Sequence, residues 1–512
     1  MGKKALDVLI ILITVFLIFG CFNIVNPGYD PSLVSRDQPL VSWAQSTVTA
    51  PDASIFQATA TDADGNVYAV GYQKGVSVFN YGGGDSKSVT GKNSANNALI
   101  VKYNSSGIVQ WAQSVADGSA ASEFFDIAVD FSSVYVVGHQ GAGLFTYGID
   151  ETQSVTTAGD TNSVIVKYDF DGRALWARAT VSGSGDSTYF GVAVDSTDVY
   201  AVGYQNDSGP YSYGNTANNV TSTFSGRNAV IVKYNSDGTA LWARSTAEGK
   251  KGSGFYKAAA DSNSVYVVGY QSGSDTYNFG NATIVSNDIA GSSPNDNAVI
   301  VKYDSNGNVQ WARSTKKGIG VDDSSAFTGI AVNSSGVYTV GRQAGTGAYN
   351  YGDGISHDVA GANLAAANSN NALIVKYDLN GNVQWSHSTS EGEFGSNFTG
   401  IVVNSAAVYC AGIQRGAAAF NYGGGEDKNV TGSYTGENAL IVKYNLNGGV
   451  EYAHSTEKGS SDTPFNGIAV NSGGVYVVGK HRENGTGENT NYGGGDSKDV
   501  GGKGAVIVKY RL

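Results

Sequence analysis

The stretch Val164-Ile165-Val166-Lys167-Tyr168-Asp169-Phe170-Asp171-Gly172-Arg173-Ala174-Leu175-Trp176-Ala177 decides how this chain folds. A β-branched run, an Asp/Gly turn and a second short run with an aromatic read as two antiparallel strands joined by a hairpin. The signal recurs. Ile-Val-Lys-Tyr returns with its lysine at Lys102, Lys167, Lys233, Lys302, Lys376, Lys443 and Lys509, spaced 65 to 74 residues apart. All six tryptophans (Trp43, Trp111, Trp176, Trp242, Trp311 and Trp385) share one motif, each followed by Ala or Ser, and Tyr452 holds the seventh place.

A further motif, Val-Tyr-x-Val/Ala-Gly, centres on Tyr68, Tyr135, Tyr200, Tyr266, Tyr338, Tyr409 and Tyr476. Five or six residues before each stands Asp62, Asp130, Asp195, Asp261, Asn333, Asn404 or Asn471, and six before that an aromatic, Phe56 to Phe465. Each unit therefore reads as four short strands, with turns of Gly, Asn and Asp between them. No segment beyond the N-terminus keeps a helical period. Seven four-stranded units predict an all-β fold, a seven-bladed β-propeller over residues 41–512. The domain opens on a fourth-type strand, Val41 to Ser46, and closes on a third-type strand, Val506 to Tyr510. Pairing the two is expected to complete the last blade and remove both open edges.

Composition narrows the function. Net charge is −12 with only 15% charged residues, which disfavours nucleic-acid binding and a basic membrane-binding surface. Two cysteines, Cys21 and Cys410, exclude a disulfide framework, and Cys410 reads as a small buried hydrophobe. At the N-terminus, Lys3 and Lys4 precede an apolar run from Val8 to Phe19, too short for a membrane span and suited to a signal peptide. Residues 1–20 are read as that signal and 21–40, with Pro27, Pro31 and Pro39, as a stalk.

Leu17-Ile18-Phe19-Gly20-Cys21 resembles the lipobox of bacterial lipoproteins, although Ile18 and Phe19 depart from the usual residues. The resemblance implies that Cys21 is lipidated and tethers the chain in the bacterial envelope, at the outer membrane or cell surface, with no membrane contact beyond the lipid. The repeat itself, Ala-Leu-Ile-Val-Lys-Tyr-Asn-x-x-Gly-x-x-x-Trp with Ile-Ala-Val-Asp and Val-Tyr-Val-Val-Gly, resembles the bacterial SBBP-type β-propeller repeat. The Gly307 to Trp311 spacing is also similar to quinoprotein-like propellers, a group with envelope scaffold lipoproteins and dehydrogenases.

Strand order puts the short turns on one face and the long second-to-third and fourth-to-first connections on the other, where binding is expected. Near that face one polar residue recurs per unit: Gln73, Gln140, Gln205, Gln271, Gln343, Gln414 and His481. A ring of amides holding a polar ligand such as a glycan is one reading, and satisfaction of local backbone groups is the other. The Tyr81-Gly-Gly-Gly84-Asp85 type of loop, repeated at Tyr422 and Tyr492, supplies one carboxylate where calcium takes six to eight oxygens, so a surface hairpin is expected and no metal. The repeated lysines and Asp/Asn positions read as blade construction. No His-carboxylate cluster or nucleophile motif is visible, and Asp304, Gly307 and Trp311 miss the sialidase Asp-box spacing by one residue in each gap. With units nearly alike, the expectation is a lipoprotein without enzymatic activity or cofactor that binds a protein or glycan partner. A periplasmic-side envelope-assembly scaffold and a polysaccharide hydrolase or lyase are the alternatives.

Overall fold

The β-branched runs form strands where the repeat places them. The computed structural model describes residues 40–512 except 49–52, 83–86, 150–151, 158, 184, 215–218, 281–288, 317–323, 353–356, 363, 365–368, 424–427, 482–488, 494–499 and 502–503. The signal segment, Cys21 and the stalk up to residue 39 lie outside the described residues, as do Gly84, Asp85, Glu426 and Asp496 of the glycine loops. The named elements are all β-strands, and among the described residues no helix is long and apolar enough to cross a membrane.

Seven of the sheets are four-stranded and antiparallel. In the first, Ser54–Thr61, Val67–Lys74, Asn96–Tyr103 and Val109–Ser114 lie side by side in chain order. Sheets two to six repeat this order from first strands Ser122–Val129, Ser187–Val194, Ser253–Ala260, Ser325–Asn333 and Ser396–Val403. The seventh holds Phe465–Asn471, Gly474–His481 and Gly504–Tyr510, and its fourth place is taken by Val41–Ser46. There Ala44 sits opposite Val508 and Ser46 opposite Val506. Each first strand packs against the first strand of the next sheet, and Phe465–Asn471 packs against Ser54–Thr61. Hydrophobic clusters fill the space between consecutive sheets, as where Phe56, Val67 and Leu99 meet Tyr476, Val478 and Ile507. The architecture is a β-propeller.

The motifs explain how one sheet grips the next. Trp111 Nε1 and Lys102 Nζ both donate to Phe170 O, in the third-to-fourth turn of the following sheet, at 3.1 and 2.9 Å. The pattern continues from Trp311 and Lys302 to Leu379 O, and from Trp43 and Lys509 of the seventh sheet to Ser105 O of the first. Gly381 in such a turn has φ +82°, and a Cβ there would lie 2.7 Å from the Trp311 ring. This is the physical content of the Gly-x-x-x-Trp spacing: the glycine of one turn is roofed by the tryptophan of the sheet before. The exception has a cause. The seventh sheet takes its fourth strand from Val41–Ser46, so it has no third-to-fourth turn to offer the sixth. Tyr452 replaces the tryptophan there, and Lys443 pairs with Glu451 at 2.8 Å instead.

The Asp series closes the first-to-second turns. Asp130 Oδ1 accepts from the Ser132 and Ser133 amides, and its Oδ2 accepts from Tyr135 OH at 2.9 Å. The long connections are less free than the sequence suggests. Most hold a small hairpin, such as Gly143–Tyr147 with Gln153–Thr157, whose second strand folds against the fourth strand of its own sheet. The fourth-to-first connections bond to these hairpins through Val48 N to Asn80 O, Ala116 N to Thr146 O and Ala247 N to Asn278 O.

Candidate functional site

Every first strand carries a β-bulge directly after its buried aromatic. The register slips between Phe56 and Ala58, and at the same place in the other six sheets. A bulge leaves one residue unpaired and re-aims its side chain. It also explains the glycine of Val-Tyr-x-Val/Ala-Gly. A Cβ on Gly341 would lie 2.0 Å from Ala326 O, and one on Gly138 would lie still closer to Glu123 O, so only glycine fits opposite the bulge.

The re-aimed residues are Gln57, Phe125, Phe190, Tyr256, Thr328, Thr399 and Asn466. Together with Lys257 and Arg342 they line a cavity of about 370 Å³. They sit towards the strand ends from which the long connections leave. Below them, a second cavity of about 360 Å³ is walled by the rest of the first strands, mainly Ala, Val and Ile, with Asp126 and Lys257 at its edge. Lys257 Nζ lies 2.5 Å from Asp126 Oδ1, bridging the fourth sheet to the second, and Asp126 Oδ2 accepts the Val192 amide of the third at 2.9 Å. Lys257 borders both cavities, and Asp126 the lower one.

The mouth is two-sided. On sheets two to four it is aromatic: Phe125 and Phe190 are 5.2 Å apart by ring centroids, and Phe190 and Tyr256 are 5.8 Å apart. A second row backs the first, with His139 at 5.4 Å from Phe125, Tyr204 at 5.6 Å from Phe190 and Tyr270 at 5.6 Å from Tyr256. Arg227 stacks on Tyr204 at 4.5 Å. Burial pushes the His139 imidazole down to about 4, against the opposing pull of Asp186, and pushes the Tyr256 phenol up to about 12. Both rings are therefore neutral at pH 7. On sheets five, six, seven and one the mouth is polar. Thr328 donates to Phe398 O, Thr399 to Phe465 O and Asn466 to Phe56 O, at 2.7, 2.7 and 2.9 Å, each on the next first strand. These bonds fix the side chains and leave the hydroxyl lone pairs and the Asn466 carbonyl open. Gln57 makes no side-chain hydrogen bond among the described residues.

The recurrent glutamines lie elsewhere, which corrects the ring of ligand amides. Gln73, Gln140, Gln205, Gln271, Gln343 and Gln414 are fully buried inside their own blades, and His481 is 3% exposed. Gln73 Oε1 accepts from Tyr81 OH, and Tyr147, Tyr213, Tyr351 and Tyr422 serve Gln140, Gln205, Gln343 and Gln414 in the same way. The His481 Nε2 atom lies 2.8 Å from Thr490 Oγ1. The reason is local: the hairpin leaving the second strand returns an aromatic ring over this position, a tyrosine in five of the six glutamine sheets and Phe279 in the other, so the group that faces the loops in sequence faces the blade core in space. Cys410 is buried in a hydrophobic cluster. Among the described residues no group of three His, Cys, Asp or Glu could hold a metal. The mouth was missed because period-two alternation does not reveal a bulge. Its available signal was the residue after each inner aromatic, which varies while its neighbours repeat.

No family model matches this chain, and no curated protein matches it. Among solved structures the chain is similar to BamB from Moraxella catarrhalis, at 10% identity over 91% of this chain and 100% of that one, with a TM-score of 0.34. It is also similar to a lignostilbene dioxygenase from Pseudomonas brassicacearum, at 11% identity over 93% and 92%, with a TM-score of 0.37. The propeller assignment rests on the sheet order. The second neighbour corrects the expectation that the chain has no enzymatic activity. An enzyme stands among the chains of similar fold, so absence of catalysis does not follow from this architecture.

Proposed function

We propose that the seven sheets are the blades of one closed ring, locked by Val41–Ser46 completing the last blade, and that the ring binds a protein or glycan partner through its loop-rich face. One observation supports this above the rest. In a scaffold built from repeated positions, the residues that differ from blade to blade gather at the axial mouth on that face. Repetition serves construction; departure from it at a concave, half-buried site serves recognition. The proposal retains the SBBP-type resemblance and the lipoprotein reading, in which lipidated Cys21 and its stalk hold the propeller in a bacterial envelope, at the outer membrane or cell surface.

Protease shaving of intact cells tests the location, with cleavage sought between Asn26 and Leu40 and a periplasmic protein as control. Release of the propeller supports capture of an external partner. Protection until the outer barrier is permeabilised refutes that placement and favours an envelope-assembly scaffold. Ligand depletion by the purified chain then separates binding from chemistry: a binder returns its ligand unchanged, whereas a polysaccharide hydrolase or lyase returns altered product.

A further inference from the structure

The two arcs of the mouth ask for a ligand with two kinds of surface. Phe125, Phe190 and Tyr256 present ring surface backed by three more rings, so they are held in place and lose little freedom on binding. Opposite them, the Gln57 amide can donate and accept, while Thr328 and Thr399 offer hydroxyl lone pairs and Asn466 its carbonyl. A flat aromatic ligand satisfies the first arc and wastes the second. A sugar ring satisfies both, laying its C–H face on the aromatics and turning its hydroxyls to the amides. The volume of about 370 Å³ is at the lower end for ligand sites, which suits a terminal residue.

Charge sharpens the choice. Among the described residues, the charged groups lining the mouth are Lys257 and Arg342, and no carboxylate lines it. Lys257 is already neutralised by Asp126 beneath it. Arg342 makes no ion pair or side-chain hydrogen bond among the described residues. It occupies the second-strand register position opposite Ala326, one residue past the glycine that faces the bulge. Among the described acids, Asp296 accepts from Ser272 Oγ and Glu123 from Asn96 Nδ2, each at 2.6 Å. In a chain of net charge −12, an arginine with no acid partner among the described residues, at a concave polar site, is an open anion position.

We propose that the axial mouth binds the acidic terminal residue of an oligosaccharide, with the sugar ring on Phe125, Phe190 and Tyr256 and its carboxylate on Arg342. The inference rests on the loop-rich-face reading above and names the ligand class for it. Phe190, central in the aromatic arc, is the main platform. Arg342 discriminates an acidic from a neutral sugar. Gln57 and Asn466 orient the hydroxyls.

Isothermal titration of the full chain in detergent tests it, using a glucuronate-terminated tetrasaccharide, its glucose-terminated counterpart, and phenylacetate as an aromatic carboxylate. The acidic probe binds at least tenfold more tightly than the neutral one. Arg342→Gln removes that preference and leaves the neutral probe unchanged. Phe190→Leu, which keeps apolar bulk and loses the flat face, weakens both sugars about tenfold; circular dichroism and an unchanged denaturation midpoint establish that each variant is folded. Equal affinity for the two sugars, preference for phenylacetate, insensitivity to both variants, or no binding of any probe overturns the inference. A photo-crosslinker at Val76, exposed beside the loop-rich face, keeps the two readings separate. If it captures an envelope partner while no sugar binds, the saccharide inference fails and face binding stands. If it captures nothing and no sugar binds, both fail.

Discussion

One repeated hydrogen bond, present in some blades and broken in others, predicts three different responses to the same chemical change. In the first blade Tyr81 OH donates to Gln73 Oε1 at 3.1 Å, with Tyr81 and Gln73 both fully buried. In the fourth blade Phe279 holds the tyrosine's place, and Gln271 Oε1 has no partner among the described residues. In the seventh, Tyr492 keeps its hydroxyl without a partner among the described residues, because His481 replaces the glutamine. Removing one partner of a buried pair costs about 1–3 kcal/mol, since the group left behind stays desolvated, while forming a bond gains a net of about 0.5–1.5 kcal/mol. Tyr81→Phe is therefore expected to cost about 1–3 kcal/mol, Phe279→Tyr to stabilise by about 1 kcal/mol, and Tyr492→Phe to change stability by less than about 0.5 kcal/mol. Equilibrium guanidinium denaturation reads these as shifts in midpoint at constant slope. The reasoning is refuted if Phe279→Tyr destabilises, or if Tyr492→Phe costs as much as Tyr81→Phe.

Three further outcomes follow from the geometry. Gly341→Ala drives a Cβ to 2.0 Å from Ala326 O, so it lowers stability by roughly 3 kcal/mol, read as a denaturation midpoint, whereas a surface glycine-to-alanine control does not. Trp311→Tyr loses the indole bond to Leu379 O and costs about 1–2 kcal/mol; Tyr452→Trp, which finds no following turn, gains nothing in the same assay. Burial holds His139 near 4, below an unfolded value of about 6.5. The unfolded chain then binds more protons between those values, so the stability this group allows is fully present above about pH 6.5 and falls as pH drops towards 4. His387 and His454 are also lowered by burial, so His139→Phe flattens the pH dependence of the midpoint without abolishing it; an unchanged slope refutes the assignment.

The repeat alone determined the all-β class, the four-strand unit and the positions of its turns, because strand runs of β-branched residues and Asp/Gly turns are local properties. It also placed the two strands that meet at Val41–Ser46 and Gly504–Tyr510, since a fourth-type strand at one end and a third-type strand at the other are complementary by count. Tertiary structure decided what the repeated polar residues do. Gln73 and its equivalents stand near the loop-rich end in sequence, yet their hairpins fold back and enclose them, a contact made across seven or eight residues that no local pattern encodes. It also decided the mouth. Phe125 and Tyr256 are 131 residues apart by number, and only the packing of successive first strands brings their bulges around one cavity. A bulge breaks the alternation from which facing is read, so the side chains it re-aims remain invisible until the partner strand's register is known.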